Sequence, residues 1–253
     1  TNTANGYSDK KITNKAVYVL DTIRLGDKWS LVPGLRLDHH SRFGAHSSPK
    51  LAVNYNADRR TRIYASWGRV YKAPTADDMF YYANYGAFGA YYGNPNLRPE
   101  SGHTESLGIA HEFDAKTYLS VDFFHSELSD AIHWYESPAT VHRVTNIAHE
   151  KKRGMEILFK KKVNADWSYD LGYSYTGIES RGSNDAASRY LNNNNQPNGG
   201  RIGVHYNHGR WHANLLGRLA SGLSETYYGH SRYAVFELNA GYDFAKDGTV
   251  YAR

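Results

Sequence analysis

Tyr81, Tyr82, Tyr85, Tyr91 and Tyr92 fall within one short stretch of Gly, Ala and Asn, and cations border it: Arg69 and Lys72 before, Arg98 after. Phenol rings stack on aryl or porphyrin rings, and their oxygens donate hydrogen bonds or bind ferric iron. Arg69, Lys72 and Arg98 can attract an anionic ligand through their field. With Tyr71, these residues are the candidate ligand-binding set. They have a plainer use as well, because loop aromatics pack on one another and rim cations are solvated.

Other chemistry is poorly supported. The 13 His invite a metal or haem reading. Yet His39-His40, His103, His111, His125, His133, His142 and His149 form no short ligand pattern, so structural or rim roles fit them better and no metal site is assigned. There is no Gly-x-Ser-x-Gly elbow and no nucleophile, base and orienter set, so no catalytic residue and no cofactor is expected and the chain does not read as an enzyme. Cys is absent, which removes thiolate sites and disulfides. The net charge of +5 is not gathered into a basic block, so no nucleic-acid partner is expected.

The candidate residues must be positioned by whatever surrounds Trp67 to Glu100. Pro74, Pro95 and Pro99 remove backbone donors and Gly86, Gly89 and Gly93 loosen the chain, so a long loop is expected through which neither helix nor ladder runs. Loops of this length are usually functional. On either side the pattern has period two. Trp29, Leu31, Pro33, Leu35 and Leu37 oppose Ser30, Val32, Gly34, Arg36 and Asp38; Trp167, Tyr169, Leu171, Tyr173 and Tyr175 oppose Ser168, Asp170, Gly172, Ser174 and Thr176. Similar segments recur from Lys15 to the chain end, with 22 Tyr, 23 Gly and only 2 Met favouring strands and turns over helices. A loop is expected at His40 to Ser48, and further long loops at roughly Glu127 to Glu150 and at Ile178 to Gly200, the last holding the run Asn192 to Asn195.

A soluble sandwich also alternates, but three regularities favour a membrane barrel. The strands run about ten residues, the length of a tilted crossing. Short and long connections alternate, as at the two rims of an outer-membrane barrel. Trp29, Tyr55, Phe113, Trp167, Trp211 and Phe244 all fall beside the short turns, where an interfacial girdle would lie. Arg36, Lys50, Arg62, Asp122, Lys160, Asp170, Arg218 and Glu237 sit opposite the apolar side and suit a wet lumen. The mean hydropathy of -0.68 contains no apolar run long enough for a membrane helix, and it says nothing against a barrel. The fold class is therefore all-β, an antiparallel transmembrane β-barrel in contact with outer-membrane lipid.

Tyr71-Lys72-Ala73-Pro74 followed by Asn94-Pro95-Asn96-Leu97-Arg98-Pro99-Glu100 resembles the TonB-dependent outer-membrane receptors, whose barrels carry a Phe-Arg-Ala-Pro-like motif and then Asn-Pro-Asn-Leu-Lys-Pro-Glu. Pro33-Gly34-Leu35-Arg36-Leu37-Asp38, Ser129-Asp130-Ala131-Ile132, Asn146 with Gly154-Met155-Glu156, and Ala240-Gly241-Tyr242 are similar in the same order. The resemblance implies a 22-stranded barrel around an N-terminal plug, and energised uptake of iron chelates through an inner-membrane TonB complex reached by the plug segment. About a dozen strands are visible, so residues 1–253 are expected to be part of the barrel domain, with the plug and the final strands outside the sequence.

The transported ligand is left open between a ferric siderophore or similar chelate and a haem or cobalamin cargo, with a passive structural barrel or porin as the rival. Haem receptors of the family that the chain resembles typically place a His between the two motif halves. Thr75 to Gly93 contains none, which favours the siderophore.

Overall fold

The computed structural model describes residues 5–6, 11–181, 185–193, 195–246 and 248–252. Most of the lead-in Thr1 to Lys11, and Asn194 of the asparagine run, lie outside the described residues. The strands are β1 (Asn5–Gly6), β2 (Asn14–Leu20), β3 (Ile23–Leu25), β4 (Trp29–His40), β5 (Gly44–Asn56), β6 (Thr61–Lys72), β7 (Tyr82–Asn84) and β8 (Ala90–Tyr92). They continue as β9 (Glu100–Asp114), β10 (Thr117–Glu136), β11 (Val141–Lys162), β12 (Trp167–Arg181), β13 (Asn198–His208), β14 (Trp211–Ser221), β15 (Arg232–Ala245) and β16 (Gly248–Ala252). Among the described residues three short α-helices, α1 (Ala76–Phe80), α2 (Asp185–Asn193) and α3 (Glu225–Tyr228), and a 3-10 turn at Gly86–Phe88 sit in the connections.

Among the described residues these strands form one sheet, ordered β16-β15-β14-β13-β12-β11-β10-β9-β6-β5-β4-β2, an antiparallel meander. Each strand pairs with the next long strand in sequence, as in an outer-membrane barrel. The dozen strands legible in the sequence are those of this path; β1, β3, β7 and β8 lie off it.

Register carries the two faces across the sheet. Ala65, Leu107, Phe123, Met155 and Tyr175 form one lateral rung, and on the opposite face of the same region Tyr64, Gly108, Asp122, Glu156 and Ser174 form another. The apolar rung is open, with Leu107 54% and Phe123 50% exposed. Leaving such side chains in water forfeits roughly 1.5–3 kcal/mol each, so this face requires lipid. The other face is polar and internally paired: Arg36 Nε lies 2.8 Å from Asp38, Arg201 Nη2 3.1 Å and His205 Nε2 3.0 Å from Asp170.

The short turns are built by local acceptors. Asp58 Oδ1 accepts from the backbone of Arg60 and Thr61 at 2.7 and 2.8 Å, and Asn164 Oδ1 from Asp166 and Trp167 at 2.9 Å. Beside these turns Trp29 packs on Tyr55 at 4.4 Å, Trp167 on Tyr206 at 4.6 Å and Trp211 on Tyr242 at 4.7 Å, measured between ring centroids.

At the other rim the structure corrects the loop boundaries. His40 to Ser48 is a tight turn over residues 41–43, because the buried His40 ring accepts from Arg42 N and stacks on Phe43, and Gly44 takes φ +75°. Glu127 to Glu150 is mostly paired strand: β10 and β11 stay in register from Ser129↔His149 to Glu136↔His142, sustained by Ile132, Trp134, Val144 and Ile147. Ile178 to Gly200 contains the end of β12 and α2, whose Ala187 packs with Ala131, Tyr135 and Ile147.

Candidate functional site

The Trp67 to Glu100 segment is not a bare loop either. β6 continues to Lys72, and Thr75 then starts α1 with a capping box: Asp78 N donates to Thr75 Oγ1 at 3.1 Å while Asp78 Oδ2 accepts from Thr75 N at 2.9 Å. β7 and β8 form a small ladder, and β8 lies parallel to β11 with Tyr91 beside His142 and Tyr92 beside Arg143. Gly89 is required here. Its φ is +120°, and a β-carbon would stand 2.8 Å from Thr140 O.

Beneath the ladder Met79, Leu97, Ile132 and Val144 make a buried cluster that Phe43 and Trp134 flank. The Asn94 to Glu100 motif works as a clamp for this cluster. Asn94 Oδ1 accepts from Asn96 N at 2.9 Å, Leu97 is 2% exposed, and Glu100 Oε1 accepts from Ile132 N at 2.9 Å. Asn146 reaches across to donate to Arg98 O at 2.8 Å and to Asp130 O at 2.7 Å. The prolines of the motif thus shape the loop around a core.

The tyrosines separate onto two faces of the ladder. On one, Tyr91 is central: His142 stacks on it at 4.3 Å and 10°, with Tyr81 at 6.1 Å, Tyr85 at 6.4 Å and Trp134 at 6.4 Å. On the other, Tyr82 and Tyr92 lie 5.5 Å apart with the Arg143 guanidinium 4.9 Å from the Tyr92 centroid. Phe88, at the tip, is 92% exposed.

The remaining candidates are held elsewhere. Tyr71 stacks on His46 at 3.8 Å, and Arg69 continues the Ile63, Ala65, Trp67 row. Lys72 Nζ is 3.0 Å from Glu100, and Arg98 Nη2 is 2.5 Å from Asp130. The hydrogen bond and charge of Asp130 raise the Arg98 pKa above its ordinary value. Lys72 and Arg98 are therefore already partnered.

Trp134, His142 and Arg143 are the residues that sequence reasoning missed. No spacing could reveal them, since His142 and Arg143 reach the tyrosines through the parallel β8/β11 contact and Trp134 from β10, more than 40 residues along the chain from Tyr91. The hairpin that carries them is braced by Glu150, 1% exposed, with His133 Nε2 at 2.5 Å and Lys152 Nζ at 2.7 Å. Burial pushes the Glu150 carboxyl up, and its contacts with His133 and Lys152 outweigh that and hold it below the usual carboxylate range.

The family model described as TonB dependent receptor-like, beta-barrel matches residues 1–253. The chain is 24% identical over 186 residues to a vitamin B12 transporter of Photobacterium profundum, an alignment covering 72% of the chain and 29% of that relative. It is 30% identical over 122 residues to the ferric enterobactin receptor of Pseudomonas aeruginosa, covering 43% of the chain and 16% of the relative. The crystal structure of the siderophore receptor PirA of Pseudomonas aeruginosa superimposes with a TM-score of 0.72 at 21% identity, covering 96% of this chain and 42% of that one. At that identity the likeness concerns the fold. The chain spans less than a third of the curated relatives' length.

Proposed function

The chain belongs to the TonB-dependent receptor-like β-barrel family, and from that membership we propose that it forms wall and mouth of an outer-membrane transporter that takes up a ferric siderophore. Energy would come from an inner-membrane TonB complex acting through a plug. The observation that carries the cargo reading is the Tyr91 cluster. Tyr81, Tyr85, Trp134 and His142 surround one ring at the long-connection end of the barrel, with the exposed Phe88 at its edge. Aryl arms of a chelate stack on such rings, and phenol hydroxyls donate to its oxygens. Arg143, over Tyr92 on the other face of the ladder, takes the electrostatic role through its field, because Lys72 and Arg98 are engaged by Glu100 and Asp130.

A second reading has its own support. Thr75 to Gly93 lacks His, but His142 comes from β11 to stack on Tyr91, and a Tyr with a neighbouring His can engage haem iron. Competition on the purified full-length receptor separates the two. Ferric siderophores displacing haemin, and loss of that binding in Tyr91→Ala with Trp134→Ala, are the expected results. Haemin outcompeting every siderophore tested would reject the siderophore assignment.

A further inference from the structure

On the lipid-facing side of β9 and β10 the apolar pattern stops abruptly. The rung through Leu107 and Phe123 is followed, toward the long-connection rim, by Trp67, Glu105, His125 and Arg153, and then by Arg69, His103, Glu127 and Lys151. Two His-x-Glu pairs thus stand on adjacent antiparallel strands in opposite order. Glu105 is the register partner of His125, and His103 that of Glu127. Directly paired positions hold their β-carbons about 5 Å apart, so four ligand-bearing side chains share one small square.

From this arrangement we propose a divalent transition-metal site, formed by His103, Glu105 and His125, on the outer wall of the barrel at the edge of its apolar belt. One ligand atom from each of the three lies within 4.8 Å of the others. His103 Nε2 is 3.6 Å from Glu105 Oε1, and His125 Nδ1 is 3.9 Å from Glu105 Oε2. Ligands around a tetrahedral zinc at about 2.0–2.1 Å stand roughly 3.3 Å from one another. Small side-chain rotations close the difference, and these side chains are free to make them, being between 34% and 49% exposed. Two imidazoles and one carboxylate match zinc or copper rather than magnesium or calcium, which select oxygen donors.

Glu127 is not a ligand. Its Oε1 is 2.8 Å from Lys151 Nζ, which neutralises it, and 3.6 Å from His125 Nε2, where it orients the ring from outside. The three-residue set leaves a fourth position open to water or to an oxygen of a lipid headgroup at the interface. The site is separate from the Tyr91 cluster and does not depend on the cargo.

The test uses the full-length receptor in detergent micelles, stripped with chelator and titrated with zinc alone by calorimetry, then with copper for electron paramagnetic resonance. The expected result is one site of this set, with nitrogen couplings from two imidazoles, unaffected by excess magnesium. Single His103→Gln and His125→Gln variants, verified as folded by heat-modifiable migration, lose at least roughly 10-fold in affinity, the lower end of what even outer-shell partners cost. Glu127→Gln keeps the two-nitrogen signature. Unchanged zinc stoichiometry and affinity in the His103→Gln, His125→Gln double variant would overturn the proposal, as would loss of the signal in Glu127→Gln.

Discussion

Trp134 Nε1 donates to Asp78 Oδ1 at 2.9 Å, while the other oxygen of the same carboxylate accepts from Thr75. One side chain therefore both starts α1 and ties it to β10, 56 residues further along the chain. Trp134→Phe leaves a buried carboxylate oxygen unpaired, at a cost of about 1–3 kcal/mol. The expected outcome is faster proteolytic cleavage between Ala76 and Tyr92 with the barrel still heat-modifiable; an unchanged cleavage rate would show that the contact does not hold the segment.

Glu150 makes the upper part of the β10/β11 hairpin acid-sensitive. A carboxyl held below its unfolded value contributes stability that is fully present above that value and is lost as pH falls through the lowered one. The hairpin's protection is thus expected to decline as pH drops below the ordinary glutamate value of about 4.3. Hydrogen exchange at Trp134 and Val144, followed across pH, checks this, and Glu150→Gln should flatten the dependence.

Gly108 lies between Tyr64 and Asp122 in register, and the Tyr64 hydroxyl donates to Asp122 across it. A β-carbon at Gly108 would stand 2.4 Å from both the Tyr64 ring and Asp122 Oδ1. Gly108→Ala is expected to break this bond and cost about 1–3 kcal/mol by overpacking. Urea titration in micelles reads the loss, and Tyr64→Phe with Gly108→Ala should cost no more than Gly108→Ala alone.

Val121 and Ser174 lie on opposite faces of the sheet. Val121→Arg faces lipid and should destabilise insertion by about 2–4 kcal/mol, whereas Ser174→Arg, at a half-buried position on the polar face, should be far milder. Equal effects on folding into vesicles would contradict the face assignment.

Arg143 gives the cargo reading a salt signature. Arg143→Ala is expected to weaken ferric-siderophore binding more at low ionic strength than at high, because exposed fields are screened by salt. A salt-independent loss would instead assign Arg143 to packing on Tyr92.

The barrel was legible in the sequence because its signals are local. Alternation places Leu107 and Ile109 against Gly108 and Ala110 within one strand, and Trp29, Trp167 and Trp211 follow turns only a few residues away. Interactions across distant sequence were not legible. Lys72 and Arg98 looked like free cations, but Glu100 and Asp130, 28 and 32 residues away, claim them once β6 meets β9 and Arg98 reaches the bend at Asp130. Likewise Pro and Gly marked the Tyr71 to Glu100 segment as irregular, while its ladder is placed by contacts with β11 that local propensity does not encode. Composition and period determined a lipid-facing antiparallel wall; which side chains surround Tyr91 was decided only by tertiary structure, because β8 must first lie against β11 to bring His142 and Arg143 beside the tyrosines.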